Sequence, residues 1–193
     1  MPDRAELKIV RFKDQESWDS WLEKHHAVSP GVWLQIAKKA ADAPSVSYAE
    51  AVEAALCFGW IDGQKKPFDE AWWLQRFTPR RPTSIWARAN REKAEELIRD
   101  GRMKLAGLKA VETARQSGRW DRAYDSARTA GVPADLQKAF ARNARAKAFF
   151  ATLDSANRYA VLWRVQTAIK PETRARRIEK LIGMLERNEK LHP

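Results

Sequence analysis

The segment that most constrains the fold is Cys57–Trp86, which reads C-F-G-W-I-D-G-Q-K-K-P-F-D-E-A-W-W-L-Q-R-F-T-P-R-R-P-T-S-I-W. Two runs rich in β-forming residues, Trp60–Lys66 and Ala71–Thr78, are separated by the turn-forming sequence P-F-D-E. This spacing is typical of a β-hairpin. The T-P-R-R-P sequence at Thr78–Pro82 is expected to leave the sheet as an extended basic loop, because two prolines lack backbone N–H donors.

Upstream of this hairpin, the sequence predicts a strand, a helix, a second strand and a second helix. The strands lie in Glu6–Lys13 and Val32–Lys38, where β-forming residues are concentrated. Between them, S-W-D-S-W-L (Ser17–Leu22) places its large apolar residues at helical spacing. Ser47 and Glu50 match the capping-box pattern and predict the start of the second helix.

Downstream of the hairpin, the signals are those of helices alone. Asn90, Asn143 and Asp154 are predicted N-caps, and Pro133 and Pro171 suit the first turns of two further helices. The sequence therefore predicts an α+β fold with a small antiparallel sheet of three or four strands followed by a helical half.

The predicted fold divides the chain into two regions. Residues 1–83 contain the small α+β sheet, and residues 84–193 contain the helical region. A basic C-terminal module occupies about 134–190. We expect the two regions to form one compact unit, since 193 residues are typical of one domain or of one domain with an appended module.

The formal net charge of +11 is unevenly distributed along the chain. Residues 101–193 carry 20 Lys/Arg against 9 Asp/Glu, whereas residues 1–60 carry 7 against 9. A basic surface attracts nucleic acid, other polyanions or an anionic membrane. The alternative is a solvated helical surface without a ligand.

Several features of the sequence predict a cytoplasmic protein without a cofactor. The N-terminal residues 1–6 are polar, unlike a signal peptide. No apolar run approaches the roughly 18–20 residues that span a bilayer. Cys57 stands alone and is predicted to be buried at a helix end, and His25 and His26 are adjacent rather than spaced for a metal. The sequence predicts no metal site and no catalytic residue.

The first candidate site lies on the predicted hairpin. Strand alternation places Trp60, Asp62 and Gln64 on one face, and an Asp62–Arg76 pair beside tryptophans would suit a small phosphorylated or carboxylated ligand. The alternative is a structural Asp62–Arg76 bridge with the tryptophans in the core. The remaining candidate ligand-binding residues of this region are Trp72, Thr78, Arg80, Arg81 and Trp86.

The second candidate site is a cationic array on the last predicted helix. Arg174, Arg176, Arg177 and Lys180 fall mostly outside its apolar stripe, and such an array would suit the phosphate backbone of a nucleic acid. Pairing with Glu172 and other carboxylates of the same helix is the alternative.

Two sequence blocks resemble a known bacterial family. Y-A-E-A-V-E-A-A-L-C-F-G-W-I-D-G-Q (Tyr48–Gln64) with Q-R-F-T-P-R-R (Gln75–Arg81) resembles the YdeI/OmpD-associated proteins. K-P-E-T-R-A-R-R-I-E-K (Lys170–Lys180), preceded by A-F-F-A-T-L-D-S-A-N-R-Y (Ala148–Tyr159), is similar to the helical module of that family. The resemblance implies a connection with bacteriocin protection or outer-membrane-protein association, and it brings no catalytic residues.

Together these observations predict a non-catalytic cytoplasmic binding protein, associated with stress or protection, that recognises an anionic partner such as nucleic acid. One alternative is an adaptor that contacts another protein through an aromatic surface. Another is an enzyme or sensor whose small phosphorylated or carboxylated ligand sits in the Trp60–Arg81 region.

Overall fold

The computed structural model describes residues 7–193 and confirms the predicted α+β fold. The prediction about a signal peptide rests on residues 1–6, which lie outside the described residues. The elements, in chain order, are β1 (Ile9–Arg11), α1 (Gln15–His25), β2 (Val32–Ala37), α2 (Tyr48–Cys57), β3 (Trp60–Pro67), β4 (Trp72–Pro79), α3 (Arg88–Arg99), α4 (Leu105–Gln116), α5 (Ala134–Ala141), α6 (Ala144–Thr152), α7 (Ser155–Gln166) and α8 (Pro171–Glu186).

The chain divides into two compact units. The first comprises the described residues up to Ser84 together with Glu92–Ser117, and therefore contains the sheet, the helices α1, α2 and α4, and α3 from Glu92 onward. The second comprises Ile85–Arg91 and Gly118–Pro193, and contains α5 to α8.

The sheet of the first unit has the strand order β1-β2-β4-β3. The predicted hairpin is confirmed, since β3 and β4 pair antiparallel, and β4 also pairs antiparallel with β2. The first strand corrects the prediction of a purely antiparallel sheet, because β1 and β2 run parallel. The intervening helix α1 explains this difference, since a crossover helix returns the chain to the end of the sheet from which it left.

Helices α1 and α2 cover one face of the sheet. Trp18 of α1 is fully buried, and its ring lies 5.8 Å from Phe77 of β4 and 6.4 Å from Trp60 of β3. The indole N–H of Trp18 donates to the carbonyl of Ala51 in α2 at 3.2 Å. The one polar atom of this large side chain is therefore satisfied inside the core, as burial of an indole requires.

Two predicted boundaries differ from the structure. β4 continues to Pro79, which pairs with Trp60 at the end of the ladder, where the missing N–H of proline is tolerated. Helix α3 begins at Arg88, so Asn90 lies inside the helix and is not its N-cap. The carbonyl of Ala87 accepts from the N–H of Arg91, which extends the helix upstream of the predicted cap.

The second unit is built around a core contributed by all four of its long helices. Phe140 of α5 and Phe150 of α6 have ring centroids 4.9 Å apart, and both are buried. Their core also includes Leu136, Ala146, Val161, Leu162, Val165, Leu181 and Leu185. The predicted caps at the starts of α6 and α7 are confirmed, since Asn143 and Asp154 accept from backbone N–H groups at 2.9 and 2.8 Å.

We expect Gly107→Ala in α4 to destabilise the protein. A Cβ atom at this position would lie 2.8 Å from the carbonyl oxygen of Leu56 and still closer to that of Cys57, both at the end of α2. Overpacking against backbone costs about 1–3 kcal/mol, which outweighs the roughly 1 kcal/mol that alanine contributes through helix propensity. Urea denaturation followed by circular dichroism measures the change in the free energy of unfolding.

Gly183→Ala in α8 is the matched control, because its Cβ would meet only the end of the Arg187 side chain, at 3.5 Å. This variant should be as stable as the parent protein or more stable. Equal effects of the two substitutions would contradict the close approach of α4 to α2.

Candidate functional site

The three tryptophans named as candidate ligand-binding residues, Trp60, Trp72 and Trp86, belong to the core. Trp60 and Trp72 are buried in the first unit, and Trp86 is buried in the second. Trp86 packs edge-on against Trp120 with ring centroids 4.8 Å apart. Of the two interpretations that the sequence left open for these rings, the structure supports the dense core.

The structure does not bring Asp62 and Arg76 together. Asp62 pairs with Phe77 in the ladder and therefore lies on the helix-covered face, where its carboxylate accepts from the hydroxyl of Tyr48 at 2.8 Å. Arg76 pairs with Trp33 of β2 and lies on the opposite face, together with Trp72 and Thr78. The predicted Asp62–Arg76 pair is therefore absent from the described part of the chain, both as a ligand site and as a structural bridge.

A β-bulge explains why simple alternation fails here. The register between β3 and β4 shifts between Asp62 and Lys65, so that Gln64 no longer follows the alternation from Trp60. The buried amide of Gln75 supports the irregular backbone by donating to the carbonyls of Gly63 and Gln64, at 2.9 and 3.3 Å. Gln64 itself is exposed.

The basic loop after β4 is ordered by backbone hydrogen bonds. The N–H of Arg80 donates to the carbonyl of Gly59 at 2.9 Å, and the N–H of Arg81 donates to the hydroxyl of Ser84 at 3.0 Å. The side chain of Arg81 is exposed, and that of Arg80 is half-buried. Of this pair, only Arg81 is exposed.

The predicted cationic array on α8 is split between structural and exposed members. Arg174 forms a bidentate ion pair with Asp135 of α5, at 2.5 and 2.9 Å, and donates to the carbonyl of Val165 at 2.7 Å. Arg177 donates to the carbonyl of Arg164 at 2.8 Å. These two arginines bind carbonyls in the last turn of α7, where the negative end of the helix dipole stabilises cations. Arg176 and Lys180 are exposed.

A different cationic cluster, which sequence reasoning missed, lies at the hairpin end of the sheet. Lys38 and Lys39 follow β2, and Lys65 and Lys66 lie on the edge strand β3. With Pro67 and Trp73, these four lysines line a cavity of about 470 Å³. We call this set the lysine–tryptophan cluster.

Two lysines of this cluster, Lys65 and Lys66, lie over tryptophan rings on opposite faces of the sheet. The Lys65 ammonium is 4.3 Å from the ring centroid of Trp73, and the Lys66 ammonium is 4.3 Å from that of Trp33. Tyr48, which is exposed, lies 5.9 Å from Trp73, measured between ring centroids. The arrangement combines aromatic surface with positive charge on one edge of the sheet.

Nearby carboxylates do not neutralise this charge. Among residues 7–193, none of the four lysines lies within ion-pair distance of an Asp or Glu side chain. The carboxylate of Asp69 instead accepts from the N–H groups of Ala71 and Trp72, both at 2.8 Å. The Lys38 ammonium donates to the backbone carbonyl of Asp69, at 2.7 Å.

Three further features of the described residues bear on metal binding, membrane spanning and thiol reactivity. Within residues 7–193, no group of three or more His, Cys, Asp and Glu side chains is arranged to hold a metal ion. The helices of the same region include none that is long and apolar enough to cross a membrane. Cys57 is buried as predicted, and this burial raises the pKa of its thiol to about 11.

The fold defines an α+β protein with a mixed four-stranded sheet and an all-helical second unit. Residues 10–110, just over half of the chain, match the family described as a domain of unknown function (DUF8412), and the chain belongs to that family. Residues 129–188 match the family described as Bacteriocin-protection, YdeI or OmpD-Associated, which confirms the resemblance for the C-terminal block. The blocks Tyr48–Gln64 and Gln75–Arg81 fall within the first match instead. Comparisons with curated proteins and with solved structures found no match.

We expect Arg174→Ala to destabilise the protein by about 1–3 kcal/mol, the range for losing hydrogen bonds to charged groups. The hydrogen bonds from Arg174 lower the pKa of Asp135 below its ordinary value. The pair therefore stabilises the fold above about pH 4, the ordinary range of the carboxyl in the unfolded chain, and its contribution disappears as the pH falls through the lowered pKa. Urea denaturation at pH 7 and near pH 3 measures both effects.

Arg176→Ala, two residues further along α8, is the matched control, since this side chain is exposed. Its effect on the free energy of unfolding should stay within about 0.5 kcal/mol at either pH. A loss at pH 7 that is the same for both variants would contradict a structural role specific to Arg174.

The thiol of Cys57 should react slowly in the native protein. Because the pKa is raised to about 11, the thiolate fraction at pH 8 is small, and burial also limits access. We expect the reaction with Ellman's reagent to be about 100-fold slower than in guanidinium chloride, where the thiol returns to its ordinary pKa. Equal rates in the two solvents would show that Cys57 is accessible.

Proposed function

We propose that this chain is a non-catalytic binding protein for a polyanion, and that its ligand is single-stranded nucleic acid bound at the lysine–tryptophan cluster. The observation that carries the proposal is a group of four lysines around Trp73 without an ion-pair partner among the described residues. The cytoplasmic location and the association with stress or protection stay predictions from the sequence.

The chemistry of the cluster fits a single strand better than a duplex. Aromatic rings stack on unpaired bases, and the half-buried Trp73 and the exposed Tyr48 offer such surface, while lysines neutralise the adjacent phosphates. A cation–π contact uses the charge of Lys65 or Lys66 but leaves ammonium N–H donors for phosphate oxygens. Because β3 is an edge strand, one strand of nucleic acid has access to the rings on both faces of the sheet.

Protection against aggregation accounts for part of this cluster. Lysines on an edge strand discourage pairing with the edge of another molecule, and this suffices for Lys65 and Lys66. It does not account for Lys38 and Lys39, which follow the central strand β2. The convergence of two lysine pairs from different strands on one cavity favours a ligand over edge protection alone.

We expect fluorescently labelled oligothymidylate to bind more tightly than a duplex of the same length at the same salt concentration. Neutralising four phosphates predicts that log K falls with log[salt] at a slope of about −3 for a single strand. Removing two charges in Lys65→Gln/Lys66→Gln should reduce that slope to about −1.5. Trp73→Leu should cost about 1–3 kcal/mol through lost stacking. Fluorescence anisotropy across a salt series on nuclease-treated protein measures these quantities.

Arg176→Gln/Lys180→Gln is the matched control, because it removes two exposed cations from the second unit. It should leave the slope close to −3. If this control abolishes binding while the Lys65/Lys66 variant does not, the array on α8 is the interface and the proposal is wrong. Absence of binding near physiological salt would show that the cluster is a solvated surface.

A further inference from the structure

A second surface, chemically different from the lysine–tryptophan cluster, lies within the second unit. Helices α7 and α8 leave between them a groove with a volume of about 800 Å³. We call it the α7–α8 groove. It is lined on α7 by Ala156, Tyr159, Ala160, Trp163 and Arg164, on α8 by Arg177, Lys180, Leu181 and Met184, and at one end by Leu191 and His192.

The two walls of the groove have the same helical periodicity. On α7, Ala156, Tyr159, Ala160 and Trp163 follow the spacing i, i+3, i+4, i+7, so they form one stripe. On α8 the four lining residues repeat this spacing from Arg177 to Met184. Seven residues of helix span about 10 Å, which corresponds to roughly two turns. A groove between two helical stripes of this length can accommodate a third helix.

The groove contains an exposed aromatic anchor. Trp163 is 39% exposed and is the largest apolar side chain of the α7 stripe. Tyr159, by contrast, is fixed in place, since its hydroxyl donates to the carbonyl of Asp125 at 3.0 Å. A large, partly exposed indole beside smaller apolar side chains is typical of an energetically dominant residue in a protein interface.

Charge in the groove is one-sided and polarised along its length. The lining residues include Arg164, Arg177 and Lys180 but no Asp or Glu. Arg177 donates to the carbonyl of Arg164, which places the cationic end beside the last turn of α7. Leu191 donates its N–H to the side chain of Asn157, which places the end formed by Leu191 and His192, where no Lys or Arg lines the groove, beside the first turn of α7. An occupant must therefore be apolar along one face and acidic at one end.

We infer that the α7–α8 groove binds an acidic amphipathic helix of about two to three turns from a protein partner. Its aliphatic face would cover Trp163 and Met184, and its carboxylates would approach Lys180 and Arg164. Charge complementarity favours this occupant over a basic helix, and the apolar stripe favours it over a nucleic acid, which would leave Trp163 and Met184 beside phosphates. The inference concerns the second unit and does not depend on the proposed function of the first.

The test is a display selection on the full chain. The library contains 16-residue helical peptides whose apolar positions vary among Ala, Ile, Leu, Met and Phe, and whose remaining positions vary among Glu, Lys, Gln and Ser. We expect the enriched peptides to concentrate Glu near one end. A fluorescein-labelled enriched peptide should bind at least tenfold more weakly to Trp163→Ser and to Lys180→Glu, measured by anisotropy. Ile169→Ser is the matched control, since Ile169 is similarly exposed, at 37%, but does not line the groove.

Several outcomes would overturn the inference. These are a selection without enrichment, enrichment of Lys-rich peptides, or equal weakening by Ile169→Ser and Trp163→Ser when all variants show the parent circular dichroism spectrum. Displacement of the selected peptide by oligothymidylate would assign the groove to nucleic acid. A dimer that Trp163→Ser converts to a monomer in sedimentation equilibrium would assign it to a second copy of the chain.

Discussion

The arrangement of the first unit depends on β4, the strand that pairs on both sides, and on the bulge that it imposes on β3. Every residue of β3 after the bulge takes its face from the shifted register, in which Lys65 lies opposite Gln75 and Lys66 opposite Leu74. The Gln75 amide holds this register from within the sheet by bonding to two carbonyls of the bulged segment. A buried polar side chain is kept there because it satisfies backbone groups that the ladder leaves unpaired. The positions of Lys65 over Trp73 and of Lys66 over Trp33 are those that the shifted register gives.

Local signals in the sequence predicted most of the fold. The capping box at Ser47 and Glu50 and the caps at Asn143 and Asp154 depend only on residues within one turn, and the structure contains all of them. The failures occurred where a distant partner decides the outcome. The parallel pairing of β1 with β2 depends on the crossover through α1, and the start of α3 depends on the backbone around Ala87. Neither is encoded in the spacing of adjacent residues.

The candidate sites were less predictable, for two physical reasons. Strict alternation from Trp60 placed Asp62 and Arg76 together, but the ladder puts them on opposite faces and the bulge removes Gln64 from the pattern. Counting charges along the chain also pointed to the C-terminal arginines, although Arg174 and Arg177 bind a carboxylate and the carbonyls at the end of α7. The lysine pairs at 38–39 and 65–66 were visible as dipeptides. Their convergence required the order of the strands, which brings β2, β4 and β3 side by side.

The net charge of a segment does not show which of its cations lack a carboxylate partner. The first 60 residues carry more Asp and Glu than Lys and Arg, yet Lys38 and Lys39 of this segment belong to a cluster that is free of carboxylates in the described residues. In the strongly basic C-terminal part, two arginines of α8 stabilise the packing of α5, α7 and α8: Arg174 binds Asp135 and the carbonyl of Val165, and Arg177 binds the carbonyl of Arg164. The α7–α8 groove in the same part of the chain is mostly apolar, and only three of the cations there line it, Arg164, Arg177 and Lys180. The lysine–tryptophan cluster lies within the family match at residues 10–110, and the α7–α8 groove lies within the match at 129–188 except for Leu191 and His192, so neither surface follows from the gradient of net charge along the chain.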